Sequence, residues 1–202
     1  FNLSFWTMVR SFFCVAPWFL FFIAIEHLGK SQLAVANVVR SISTIFFVVV
    51  NSFATTTSAL VSNLIGAGKQ TEVLSVCRKI IRLSYGTGLP LIVLTFICSD
   101  WVLRIYTNDE ALIRLAYYPF LVMLSNYFLA VPGYTYCNAV IGTWHTRLAF
   151  GFQVMTIVIY LFYLYLISSC MNVPLAVYWT AEHLYVVLLF VFSYIYMRKK
   201  YV

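Results

Sequence analysis

Side chains that can donate or accept hydrogen bonds recur at steps of three and four in two stretches of this sequence. The first holds Asn37, Arg40, Ser41 and Thr44, then Asn51, Thr55, Ser58 and Ser62, interrupted by an apolar turn at Phe47 and Val48. The second holds Asn126, Tyr134 and Asn138, with Ala130 between them. Such steps put each set on one face of a helix. Amides, hydroxyls, a phenol and one guanidinium suit recognition, and they supply no nucleophile with its base. The pairs Glu26-His27 and Glu182-His183 are isolated, and no HExxH or clustered His/Cys spacing points to a metal. The five cysteines, Cys14, Cys77, Cys98, Cys137 and Cys170, are far apart, form no CxxC, and read as reduced packing residues. Gly66-Ala-Gly-Lys69 imitates a phosphate loop, but Asn63 occupies the required upstream glycine position and Gln70 replaces the Ser/Thr, so it reads as a turn.

The elements that carry these residues must be membrane helices. Of the 202 residues, 63% are hydrophobic, 19% aromatic and only 9% charged, with a mean hydropathy of +0.91. A soluble domain carries about 25% charged residues. A bilayer span takes about 20 mainly apolar residues, which leaves room for six. The expected fold is an all-α integral membrane bundle with spans at about 3–28, 32–65, 83–103, 111–141, 148–171 and 175–197. Pro17 is a candidate kink in the first span, and the basic segment 69–82 reads as an amphipathic surface lead-in to the third. The turn from Tyr106 to Glu110 is expected to be exposed. The chain starts at Phe1 and enters an apolar segment almost at once, as the later part of a longer protein would; Arg10 and the following apolar run lack a signal-peptide cleavage site.

Charge sets the expected orientation. One side of the bundle collects Arg10, Lys69, Arg78, Lys79, Arg82, Arg147, Arg198, Lys199 and Lys200 against the single acid Glu72, a net of +8. The other collects Lys30, Arg40, Arg104 and Arg114 against Glu26, Asp100, Asp109, Glu110 and Glu182, a net of −1, and together they give the chain's +7. Lys/Arg excess marks the cytoplasmic side, so the C-terminus is expected inside a plasma or inner membrane. The same distribution accounts for the basic charge without nucleic acid, for which no reading module is visible.

With these residues placed, the chain resembles the C-terminal lobe of a multidrug and toxic compound extrusion (MATE) transporter. The resemblance lies in Leu28-Gly29, Leu33-Ala34 and Asn37 after the first span, the Leu64-Ile-Gly-Ala-Gly-Lys69 turn, and the Gly142 turn after the fourth helix. One departure is Asn63, where a glycine often precedes the Gly-Ala-Gly. The resemblance implies a six-helix lobe that rocks against an N-terminal lobe missing from this chain. It implies a proton or sodium gradient driving export of amphipathic, often cationic, small molecules, with no cofactor. Some members use a carboxylate in the first helix of this lobe, which falls at Cys14, and another in the fourth, which falls at Ala130. Neither is acidic here, so that coupling route is not expected in this lobe. Other members place the acid in the absent lobe.

On this reading Asn37, Asn51, Thr55, Ser58, Asn126, Tyr134 and Asn138 are the candidates for the substrate cleft. The competing reading for both stripes is interhelical hydrogen bonding, about 0.6–2 kcal/mol per contact. A charge inside a span costs about 2.5 kcal/mol or more unless it snorkels or is paired. Arg40 and Glu26, both toward the outer ends of their helices, are therefore a candidate gate or ion pair. A lipid or lipid-linked oligosaccharide flippase is the alternative within the same superfamily; it calls for a more cationic cleft than Arg40 provides. An intramembrane enzyme lacks its GxSG, HExxH or paired aspartates, and a purely structural subunit is disfavoured by polar stripes on two helices.

Overall fold

The computed structural model describes residues 8, 12, 17–169 and 173–201. Their regular structure is entirely helical. In chain order the helices are α1 (Pro17–Glu26), α2 (Lys30–Gly66), α3 (Val73–Ile97), α4 (Ser99–Tyr106), α5 (Glu110–Gly142), α6 (Thr146–Ser169) and α7 (Leu175–Tyr201). Five of these, α2, α3, α5, α6 and α7, are long and apolar enough to cross a membrane. At 1.5 Å per residue α2 and α5 reach roughly 55 and 50 Å, well beyond a hydrocarbon core of about 30 Å, so both project past it. Arg10, Cys14, Cys170 and most of the expected 3–16 segment lie outside the described residues, as does any kink that precedes Pro17.

The packing centres on α5, which lies against α2 and α7 along most of its length and also touches α3, α4 and α6. Polypeptides that solve the problem of burial in lipid leave their outer surface apolar, and this one does on two helices. Leu83, Val93, Leu94, Phe96 and Ile97 of α3 and Met155, Val158, Phe162 and Leu166 of α6 point outward. The core between the helices is equally apolar, with Phe120, Tyr160, Tyr178, Trp179 and Leu189 fully or almost fully enclosed. Cys77 and Cys137 are buried in it and Cys98 is half-buried. The α2–α5 contact depends on Gly142: a Cβ there would sit 2.5 Å from the Ser58 carbonyl oxygen and 3.0 Å from Val61 Cβ.

Helix ends explain two of the sequence signals. After α2, the Lys69 amide donates to the Leu64 carbonyl (2.9 Å) and the Gly68 amide to Ile65 (3.1 Å), with Gly68 at φ 75°. That is a Schellman stop, which needs a left-handed residue for which glycine carries no penalty. The Gly-Ala-Gly-Lys stretch is thus a helix terminator. At the other end of the bundle Asp109 caps α5 by accepting from the Ala111 amide (2.9 Å), and Arg104 pairs with Glu110 at 2.7 Å across the exposed turn.

One expected span moves. The third helix begins at Val73 and ends at Ile97, where 83–103 was expected, and Ser99–Tyr106 forms a separate helix after a break at Cys98. The basic segment is no distinct surface lead-in. Val73, Cys77, Ile80, Ser84, Gly88 and Ile92 form one unbroken buried stripe at helical spacing, so Arg78, Lys79 and Arg82 ride the outer face of the same helix.

Candidate functional site

Helix α2 turns two unlike faces to its surroundings. Its buried row is Val35, Ala36, Val39, Ile42, Phe46, Val50, Ala54, Thr57 and Val61, apolar but for one threonine. Asn37, Arg40, Ser41, Thr44, Asn51 and Thr55 are all exposed, and Ser58 and Ser62 are half-buried. Much of this polar row is bonded to its own helix. Asn37 donates to the Leu33 carbonyl (3.0 Å), Ser41 to Asn37 (2.9 Å), Thr44 to Arg40 (3.0 Å) and Thr55 to Asn51 (2.9 Å). Back-bonding commits the hydroxyl protons inward and leaves oxygen lone pairs facing out. Apart from Arg40, whose guanidinium lies over rings of α1, such a face offers acceptors suited to cationic or donor-bearing molecules.

The basic end of this face opens into a groove of about 580 Å³ between α2 and α5, lined by Thr55, Ser58, Ser62, Asn138, Trp144 and Thr146 among others. That volume lies in the range of small-molecule sites, about 300–1,000 Å³. Asn138 is 7% exposed and donates to the Tyr134 carbonyl at 2.9 Å. Trp144, 73% exposed, stands at φ 68° in the position after α5 where glycine is usual, and its indole N–H donates to Ser62 Oγ at 2.9 Å. A tryptophan held left-handed costs of order 1 kcal/mol or more, and the bond to Ser62 fixes the ring at the mouth of the groove. Among the described residues that line it there is no Lys or Arg.

The stripe on α5 divides. Asn138 joins Thr55 and Ser58 in the groove, while Asn126, Tyr134 and Ala130 line a separate, smaller cavity of about 70 Å³ between α1, α2, α5 and α7. A second cavity of about 50 Å³ shares its walls at Trp18, Phe47, Tyr134 and Glu182. Glu182 is the residue that sequence reasoning missed by assigning it to the outside. It is 8% exposed, and Tyr160 of α6, fully enclosed, donates to its Oε1 at 3.0 Å. The ion pairs among the described residues, Lys69–Glu72 and Arg104–Glu110, do not include it. The signal was available: Glu182 stands seven residues into α7, roughly 10 Å along the axis, inside the span already expected at 175–197. An ionisable group at that depth is by default a functional candidate. Around it α7 is tied laterally, His183 to Ser125 of α5 (2.8 Å) and Thr180 to Tyr163 of α6 (2.8 Å).

Glu26 and Arg40 do not meet. Glu26 is exposed at the end of α1, and the Arg40 guanidinium lies instead over the rings of Phe22 (5.2 Å) and Trp18 (5.8 Å). The reason is height: Arg40 lies ten residues into α2, roughly 15 Å along its axis, which sets it beside Trp18 and Phe22, short of Glu26 at the end of α1, and aromatic faces there offer a weakly hydrated guanidinium an attractive surface. Asn37 and Asn51 share the exposed face of α2 with Arg40 and lie toward, respectively, its outer end and its middle.

Comparison with known proteins agrees with this architecture. The MatE family model matches residues 7–177. No curated protein matches. A crystal structure described as MATE in the bent conformation is similar over 100% of this chain, with a TM-score of 0.86 at 17% identity; the chain spans 46% of that structure's length. At that identity the likeness speaks for the fold, and the family match over most of the sequence speaks for descent: the chain belongs to the MATE family of membrane transporters, not to a family of enzymes.

Proposed function

We propose that this chain is one lobe of a two-lobe exporter, in which a proton or sodium gradient drives amphipathic, often cationic, organic compounds outward by alternating access. The observation that carries this reading is the polar residues exposed along α2, Asn37 to Thr44 and again Asn51 and Thr55, the second set running into a drug-sized groove against α5. Exposed hydrogen-bonding groups along a membrane helix need a protein neighbour or an aqueous cleft beside them. A facing lobe supplies the first and a central pathway the second, and the chain's 46% share of the similar structure leaves room for that lobe. The basic end, with Arg147 and Arg198 to Lys200, faces the cytoplasm on the positive-inside rule. The uncharged groove lining favours a cationic organic substrate over a pyrophosphate-linked lipid.

Removing the amides tests the assignment. In the protein carrying both lobes, Asn51→Leu and Asn138→Leu are each expected to lower the efflux of a cationic dye about five-fold, the factor equivalent to ~1 kcal/mol for one hydrogen bond, at unchanged membrane abundance. Unchanged efflux in both variants would return the stripes to a packing role.

A further inference from the structure

We infer that Glu182 is a proton-binding group of this lobe, loaded through a small hydrated cavity that is separate from the substrate groove; this rests on the export reading above. Three observations converge on it. A carboxylate is enclosed within a membrane helix, and the Tyr160 phenol donates to it at 3.0 Å. It lines a cavity of about 70 Å³, room for a few waters and too small for an amphipathic organic molecule. Two residues that line the same cavity, Asn126 and Trp179, each hold a buried polar atom, the Asn126 Oδ1 acceptor and the Trp179 Nε1 donor, with no partner among the described residues, and Trp179 is only 2% exposed. One orphaned acceptor and one orphaned donor are what water molecules beside a carboxylate would satisfy.

The surroundings favour a proton over a metal cation. A hard cation asks for about six oxygen ligands, whereas the indole N–H is a donor and repels one. Among the described residues, the titratable groups that bond to Glu182 or line its two cavities are weak acids: Tyr160 from α6, Tyr127, Tyr134 and Cys137 from α5, and Tyr185 from α7 itself. His183 turns away to Ser125, and Arg40 of α2 is held over the ring of Trp18, a residue that lines the cavity. In the charged form the carboxylate accepts from Tyr160; on loading, a hydronium ion in the cavity gives up one proton, so that its O–H bond breaks as an O–H bond to one Oε of Glu182 forms and neutral water is left, and unloading reverses both changes.

Infrared difference spectroscopy of the purified two-lobe protein, titrated with acid, tests the site directly. A carboxylic-acid C=O band is expected to grow on acidification, to be absent in Glu182→Gln, and in Tyr160→Phe to persist at a higher wavenumber, because the carboxyl group has lost a hydrogen bond. A band that survives in Glu182→Gln, or one that sodium chloride removes at constant pH, overturns the inference. In proteoliposomes, Glu182→Gln is expected to abolish ethidium efflux driven by a pH gradient, and undiminished efflux overturns it equally. Wild-type protein that moves no ethidium would instead contradict the export reading, with the spectroscopic result unaffected.

Discussion

Arg40 shows what a single residue's surroundings decide. Its charge sits in a membrane helix, and two aromatic rings of α1 hold it where an acid was expected. Cation–π contacts contribute about 0.5–1 kcal/mol each at exposed sites. Arg40→Gln should therefore lower the protein's melting temperature in detergent by a few degrees, since ~1 kcal/mol corresponds to about 2–4 °C in a domain of this size. Glu26→Gln should leave it unchanged; an equal loss from both variants would restore the ion pair. That Arg40 needs a partner was legible in the sequence, because a charge in an apolar segment is costly wherever it lies. Which partner was not, because Glu26 and Phe22 are one helical turn apart on one face of α1, and only the height at which α1 lies against Arg40 decides between them. Glu182 was misjudged for a related reason: a neighbouring histidine and the helix's outer half suggested solvent, while burial comes from Tyr160 and Trp179, which are distant or unremarkable in sequence.

At the scale of elements, hydropathy located the membrane helices well and their ends less well. Long apolar runs declare α2, α5, α6 and α7 because lipid demands them. The α3 start was missed because basic residues interrupt the hydropathy without interrupting the helix, whose buried stripe runs on from Val73 to Ile92. Its end was missed because no glycine or proline marks Cys98. Close approach between helices is likewise invisible until both are in place. Gly142→Val should force α2 and α5 apart, since its Cβ would collide with the Ser58 carbonyl. A loss of about 1–3 kcal/mol is expected, read as a lower melting temperature. Gly151→Ala on α6, where an added Cβ meets nothing within 4 Å, should be neutral or stabilising by up to about 1 kcal/mol. Equal effects of the two substitutions would mean that the α2–α5 contact is not tight.

For the whole molecule, the contrast between outer faces matters most. Helix α6 and, from Leu83 on, α3 show hydrocarbon to their surroundings, whereas α2 shows amides and hydroxyls on either side of exposed Ile45, Phe47 and Val48, although all three are long enough to cross a bilayer. The polar periodicity of α2 was readable from spacing alone. What spacing could not reveal was the division of the polar residues into two places: Thr55, Ser58 and Asn138 in an open groove, and Asn126 and Tyr134 beside Glu182 in a small cavity. That division follows from the way α5 passes between α2 and α7, which no one-dimensional pattern encodes. The central claim is that the α2 face and its groove border a water-filled, substrate-bearing cleft. It is tested most directly by cysteine accessibility in the two-lobe protein, in membranes, with the native cysteines replaced. Thr55→Cys and Ser58→Cys should react with a charged maleimide and be slowed by tetraphenylphosphonium, while Val158→Cys on the outer face of α6 should stay unreactive. Inert Thr55→Cys and Ser58→Cys, or labelling that tetraphenylphosphonium leaves unchanged, would contradict the account.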